Sequence, residues 1–504
     1  MPLSSFLMSV GQFVLLGNWI IEGDFKRKWN VMRTSKVLWV MSSFYLLHLI
    51  GLLWTSDFAY ASNDLRIKLP LLWFPLLFIT SKQKPTKKEV EGLLWLFVSA
   101  VFIATIVSTL VWLGLTKHKV VDIRDISIFN SHIRFALMIV LVICFLIHGY
   151  FKSGKWFWFL IKAVLIAWFV VFLGIMQSFT GIVILGVVIV YYSALFLKSL
   201  KRPVVKVGAF LIIGLFAAFV AHLVIKEIKE QQVPVKPIVR QEKTINGNKY
   251  YNNPKSTEAE NGNLIWANVC ADEIEAQWNK RSSIKFLEKD KKGNEIGFTI
   301  IRYLSSKGLN KDSTGISMLS KEDIALIEKG TTNYLYTNKS GIEKRIHEVI
   351  YEYDSYKQGK DPTGHSFMMR LEFWRVGMEI IKRKWLCGVG TGDVQRAYTY
   401  QYVYSNTKLN EKWRLRSHNQ FMAITISFGI IGLIVFLMYL FYPIYMIKQK
   451  HFLFGAFILI SLFSMLNEDT LETQAGATFF GFFYCFLIFF GTEKSDTYDS
   501  KNNS

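Results

Sequence analysis

Apolar residues in this chain come in long blocks separated by short polar breaks, and the blocks fall into two groups on either side of a polar middle. Blocks at about 3–21, 37–55, 68–81, 90–115, 133–150, 156–176, 180–198 and 205–225 precede that middle, and blocks at 419–447, 451–467 and 474–491 follow it. As helices rising about 1.5 Å per residue, stretches of roughly 20 residues cross a hydrocarbon layer of about 30 Å. The pattern predicts an all-α polytopic membrane protein with about 11 transmembrane helices. It divides into an N-terminal bundle over 1–225, a large loop domain over 226–418, C-terminal membrane helices over 419–491 and a polar tail over 492–504.

The breaks alternate in charge. Lys26, Arg27, Lys28, Arg33 and Lys36 follow the first block, Lys82, Lys84, Lys87 and Lys88 the third, and lysines or arginines likewise follow the fifth, seventh and ninth. Basic loops stay in the cytoplasm. Threading the chain by that rule puts the loops near 56–67, 116–132, 177–179 and 468–473 outside together with the whole of 226–418, and the tail inside. It also puts the N-terminus outside, which suggests a twelfth helix ahead of Met1 in a longer gene product. The first block lacks the basic start of a cleavable signal.

Composition agrees with this picture. Of the 504 residues 51% are hydrophobic and only 19% charged, too apolar for one water-soluble core. The net charge of +21 suggests nucleic acid at first sight, but its lysines and arginines are largely the loop residues that set orientation, so nucleic-acid binding is discounted. Cys144 and Cys485 lie inside apolar blocks, while Cys270 and Cys387 lie in the polar middle and are the two placed to pair.

Parts of the large loop regain periodicity. From 366 to 385, Phe367, Leu371, Trp374, Met378 and Ile381 recur at spacings of three and four, predicting an amphipathic helix that lies on the membrane or packs under the loop. Gly388, Gly390 and Gly392 then break it. They superficially suggest a nucleotide loop, but no strand precedes them, and a tight turn is the simpler reading.

The segment SHNQFMAITISFGIIG, Ser417 to Gly432, places a histidine and an asparagine at the outer mouth of a span and two glycines within it. With MRLEFWRVGMEIIKRKWLCGVGTGDV upstream, SHIRFALMIV around Arg134 and NEDTLETQAGATFFGFF near the end, it resembles the O-antigen ligase and O-antigen polymerase family, Bacteroidetes-type members in particular. The resemblance departs from the family at Ser178-Phe179-Thr180-Gly181, where many relatives carry an arginine after the serine, and at Trp385, where a proline often precedes the glycine turn.

The resemblance implies a GT-C-like membrane glycosyltransferase in the bacterial inner membrane with its large loop in the periplasm. Its donor would be an undecaprenyl-diphosphate-linked glycan and its acceptor lipid A-core or another hydroxyl, with membrane lipid around it and neither cofactor nor metal required. That chemistry needs a base for the acceptor hydroxyl and fixed cations for the departing diphosphate. His418 is the candidate base, because imidazole titrates near neutrality. Arg134 and Arg370 are the first candidates for the diphosphate, with Arg416 and Arg414 next to the histidine as further ones. Asn419, Gly429, Gly432, Glu468 and Glu472 are candidate supporting residues, and Asp469 stands beside the last two.

Each of these residues also has a plain reading. His418 is then a solvated interfacial histidine, the arginines reach for head groups, and Glu468, Asp469 and Glu472 form a solvated loop. Ligase, polymerase and protein O-oligosaccharyltransferase activities would use the same residues. A transporter or flippase for lipid-linked glycan would instead call for charged or broken helices near mid-membrane and for related halves, which the sequence does not display.

Overall fold

The computed structural model describes residues 2–118, 120, 123–150, 156–199, 233–337, 341–447 and 452–490, with scattered positions between 211 and 229. The described chain is mostly helical. Its first part runs through α1 (Ser5–Ile21), α2 (Phe25–Thr34), α3 (Lys36–Ile50), α4 (Phe58–Lys68), α5 (Pro70–Thr80), α6 (Lys87–Trp112), α7 (His132–Tyr150), α8 (Trp156–Ile175) and α9 (Phe179–Ser199). The middle holds α10 (Ala271–Arg281), α11 (Ile296–Ser306), α12 (Lys321–Glu328) and α13 (Gly341–Lys357). The last part holds α14 (Ser366–Arg383), α15 (Val394–Tyr404), α16 (Gln420–Ile447), α17 (Phe452–Asn467) and α18 (Gln474–Phe490).

Among the described residues four helices are long and apolar enough to cross a membrane: Lys36–Trp54, Lys87–Trp112, Trp156–Ile175 and Gln420–Met446. The pair Phe6–Ile21 and Phe25–Thr34, bent by 110°, makes a fifth if it is taken as one span. Shorter apolar helices cover His132–His148, Thr180–Ala194, Leu453–Asn467 and Gln474–Phe490. The block 205–225 falls largely outside the described residues, and the tail 492–504 wholly so.

The chain divides into two compact units, one within Met1–His118, Arg124–Ser199 and Asp361–Ser504, the other within Lys119–Ile123 and Leu200–Lys360. In the first unit α3 packs on α5 and α16, α5 on α18, and α7 on α17. An aromatic stack fills the space between α3, α16 and α18: Phe44 lies 5.5 Å from Tyr439, which lies 5.4 Å from Tyr484, and the Tyr484 hydroxyl donates to the Tyr439 carbonyl at 2.7 Å. A buried phenol thereby meets the partner that burial demands. Residues 361–418, which the sequence pattern joined to the rest of the large loop, pack with this helical unit, because α14 and α15 share a core with α16 around Phe373, Val376, Tyr398 and Ile426.

Three local expectations change. The stretch 56–67, predicted as an outer loop, forms α4, begun by Asp57, whose carboxylate accepts from the Tyr60 amide at 2.9 Å. Its apolar content is low, but it buries Ala61, Asp64 and Lys68. The amphipathic helix is present as α14, yet its core face is Met369, Phe373, Val376 and Ile380, while Phe367 and Met378 of the predicted face are exposed. The helix carries apolar residues on two sides, so spacing alone could not choose between them. Finally, all four cysteines are free, Cys270 buried and Cys387 exposed, where the sequence offered these two as a pair.

The second unit has its own core around Trp278, Ile300, Leu304, Ile316 and Ile327. A short antiparallel hairpin pairs Ala259 with Leu264 and Glu260 with Asn263. The buried Glu260 carboxylate is answered by the guanidinium of Arg302 at 2.7 Å and the amide of Asn333 at 2.8 Å, so the charge is not left bare.

Candidate functional site

The mouth of α16 is built from the backbone outward. Asn419 caps the helix by accepting from the Met422 amide at 3.0 Å, and its own amide donates to the Leu466 carbonyl at 3.1 Å. Asn419 thus has a structural role, since an Asn side chain at this position satisfies one of the orphan N–H groups of the first turn. On the other side the Trp374 indole donates to the Ser417 carbonyl at 2.9 Å. Held between these neighbours, His418 takes φ +46°, a left-handed conformation that costs a side-chain-bearing residue about 1–2 kcal/mol. Strain retained at one ring is a reason to look at what the ring faces.

It faces carboxylates. His418 Nδ1 lies 3.7 Å from Glu468 Oε2 and 4.0 Å from Asp469 Oδ1, both on the turn between α17 and α18. The Glu468 carboxylate raises the His418 pKa from its ordinary value, with burial and Arg370 pulling the other way. Burial works against ionisation of Glu468, but His418, Arg370 and Arg134 outweigh it and hold its carboxyl below the usual range. Asp469 behaves oppositely: burial pushes it up to about 6 against the pull of His418 and Arg416. Its Oδ1 is buried and accepts no hydrogen bond among the described residues.

Arg370, on α14, brings Nη2 to 3.3 Å of Glu468 Oε1 and donates through Nη1 to the Ser366 carbonyl at 3.4 Å. Its Nε is buried and has no partner among the described residues. A guanidinium with an unused buried donor beside a shared carboxylate is suited to receive an anionic oxygen. Arg134, in the first turn of α7, is close enough to Glu468 for their charges to interact.

The other two arginines separate. Arg416 Nη1 donates to the Tyr60 hydroxyl at 2.6 Å and lies 3.4 Å from Glu472 Oε2. Glu472 in turn meets Lys68 Nζ at 2.9 Å and accepts from the Gln420 amide at 3.1 Å. Arg414 turns away toward the Leu409 carbonyl at 3.2 Å and Glu411 at 3.9 Å. His418, Glu468, Asp469, Arg370 and Arg134 therefore form one group, Arg416 and Glu472 a second beside it, and Arg414 joins neither.

Gly429 and Gly432 act at a distance from the ring. Gly429 has φ +64° and ψ −158°, breaking α16. The turn after α14 fills the break: the Val389 amide donates to the Ile426 carbonyl at 2.9 Å, Gly390 to Ser427 at 2.8 Å, and Ile430 to the Trp385 carbonyl at 2.8 Å. A Cβ on Gly429 would stand 2.1 Å from the Leu386 carbonyl oxygen, and one on Gly388 2.3 Å from the Ser427 carbonyl carbon. The glycine run is a packed turn: the Gly390 amide meets the break in α16, the Gly388 amide donates back to the Lys384 carbonyl, and the Gly392 amide donates to the Thr55 hydroxyl.

Lys68, Asp64 and Tyr60 escaped the sequence reading. Their only signal was an aspartate and a lysine four residues apart at the edge of an apolar block, a spacing that pairs charges on a helix.

A helical membrane protein with a histidine, paired carboxylates and arginines at the mouth of a broken helix is the class these features define. Residues 324–437 match the family described as O-antigen ligase, which supports membership of the O-antigen ligase family and points to ligase or related polymerase activity of a glycosyltransferase kind. The matched segment holds Arg370, the glycine turn, His418, Asn419, Gly429 and Gly432. No curated protein matches the chain.

Proposed function

We propose that this chain is a glycosyltransferase of the ligase type, moving a preassembled glycan from undecaprenyl diphosphate to lipid A-core at the periplasmic face of the inner membrane. The observation that carries the reading is the joint use of Glu468 by His418 and Arg370. The carboxylate holds the Nδ1 side of the imidazole, which leaves Nε2 to take the proton of an incoming hydroxyl. The same carboxylate holds one end of a guanidinium whose buried Nε–H is free to donate to a diphosphate oxygen.

In the reaction the acceptor oxygen bonds to the anomeric carbon as the bond from that carbon to the diphosphate breaks. The electron pair leaves with undecaprenyl diphosphate and the hydroxyl proton passes to His418. Arg370 and Arg134 stabilise the charge that gathers on the leaving group. Direct displacement of this kind inverts the anomeric centre.

The test is a deletion strain complemented with His418→Ala, with lipopolysaccharide and the undecaprenyl-linked pool displayed together. Ligase activity predicts uncapped core and accumulated lipid-linked polymer. Core bearing a single repeat unit would instead indicate a polymerase, and normal lipopolysaccharide in the variant would reject the catalytic role of His418.

A further inference from the structure

Beside this group lies a second, largely buried set of charges. Lys68 Nζ, 1% exposed, sits 2.5 Å from Asp64 Oδ1 and 2.9 Å from Glu472 Oε2. Glu472 Oε2 also faces Arg416 Nη1 at 3.4 Å, and Arg416 is steadied by the Tyr60 hydroxyl. His48 Nε2 closes the far side at 3.8 Å from Asp64 Oδ2, while its Nδ1 bonds the Phe44 carbonyl at 2.8 Å. The two cations, Lys68 and Arg416, balance the two anions, Asp64 and Glu472.

The network joins the two segments whose tips make the site. Arg416 stands two residues before His418, and Glu472 four residues after Glu468. Gln420 doubles the link, donating to Glu472 Oε1 at 3.1 Å and accepting from the Leu471 amide at 2.7 Å. Each strand of this clasp ends on the turn that carries Glu468 and Asp469. Lys68 is too deeply buried to touch a substrate, so whatever it contributes to catalysis passes through Glu472.

We infer that Lys68, with Asp64 and Tyr60 of α4, is a positioning set: by neutralising Glu472 and seating Arg416 it fixes the 468–472 turn against the Arg416–Gln420 segment, and so holds Glu468 at the His418 ring. This rests on the reading of His418 as the base. It also assigns Arg416 to the scaffold, leaving Arg370 and Arg134 for the diphosphate. Removing the ammonium takes the nearest cation from two buried carboxylates: Glu472 keeps Arg416 and Gln420, and Asp64 keeps the longer His48 contact at 3.8 Å. Removing the Asp64 charge as well restores the balance and leaves the Arg416–Glu472–Gln420 clasp intact.

The experiment uses the full chain in nanodiscs, with undecaprenyl-diphosphate-linked glycan as donor and lipid A-core as acceptor, and compares Lys68→Met, Lys68→Met/Asp64→Asn and His418→Ala. A misplaced base predicts that Lys68→Met lowers kcat on the order of 10²-fold while the donor KM stays within about twofold, since the ground-state contacts survive. The double variant should recover most of the lost kcat. If Lys68→Met does not accumulate as folded protein, the double variant carries the test alone and must be both folded and active. Wild-type kcat in Lys68→Met, or a double variant no better than the single one, overturns the inference. Full activity in His418→Ala overturns the underlying reading instead, whatever the Lys68 variants do.

Discussion

The carboxylate at Nδ1 decides how His418 titrates. Glu468 and Asp469 face the ring from the α17–α18 turn and favour the imidazolium, while Arg370 of α14 opposes it, and the net direction is upward. A base must be neutral to act, so the acid limb of kcat/KM is expected above the ordinary imidazole value of about 6.5. Glu468→Gln removes the nearest anion. The His418 pKa then falls, the acid limb moves to lower pH, and the plateau drops on the order of tenfold or more as the ring loses its orientation. A pH series on the purified variant checks both; a limb that stays put or moves up would mean Glu468 does not govern this ring. The members of this group were singled out in the sequence by the resemblance, because position alone equally allows a solvated histidine and arginines that reach for head groups. Which arginine did what was not legible: Arg414 and Arg416 are two residues apart in one loop, and only the fold sends one to Glu411 and the other to Glu472. Asp64 and Lys68 were missed altogether, since buried ion pairs bear the same letters as solvated ones.

Among the helices, the break in α16 is what calls for a glycine at 429. Gly429 combines a left-handed φ with a carbonyl oxygen 2.1 Å from where a Cβ would stand. Gly429→Ala therefore meets both a penalty of about 1–3 kcal/mol for positive φ with extended ψ, a region essentially confined to glycine, and a backbone collision that only a shift of the 385–390 turn can relieve. Gly186, in the interior of α9, has open space around its Cβ position. There alanine should be neutral or stabilising by up to about 1 kcal/mol, the usual gain over glycine in a helix interior. Thermal unfolding of the two variants in the same detergent checks the contrast, and equal melting temperatures would deny the break its packing role. Helix positions were readable in the sequence because long apolar blocks leave few alternatives, and α6, α7, α16, α17 and α18 begin and end within a few residues of their blocks. What stayed hidden was tertiary. α4 has too little apolar content to signal burial, and α14 has apolar residues on two sides, so its inward face was set by Phe373 and Val376 meeting α15 and α16.

For the whole chain, the chemistry proposed here requires the residues around His418 and the second unit to share the compartment in which undecaprenyl-linked glycan is presented. Under this proposal the alternation of basic loops predicts that compartment to be the periplasm. The second unit offers a direct reporter. Met318 is 64% exposed, and a cysteine there can be labelled from water; Cys387 is exposed as well and is first changed to serine. Cys144, Cys270 and Cys485 are buried, so they add little background in the folded protein. A membrane-impermeant maleimide added to intact spheroplasts should label Met318→Cys as fully as it does after the membrane is opened. A cysteine placed at Lys26, in the basic break after α1, should label only after opening. The two positions test one rule from opposite sides, because the rule that predicts Lys26 inside also sets the predicted parity of every later crossing. Labelling of Met318→Cys only after opening would move the second unit into the cytoplasm, away from the lipid-linked donor, and the transferase reading would go with it.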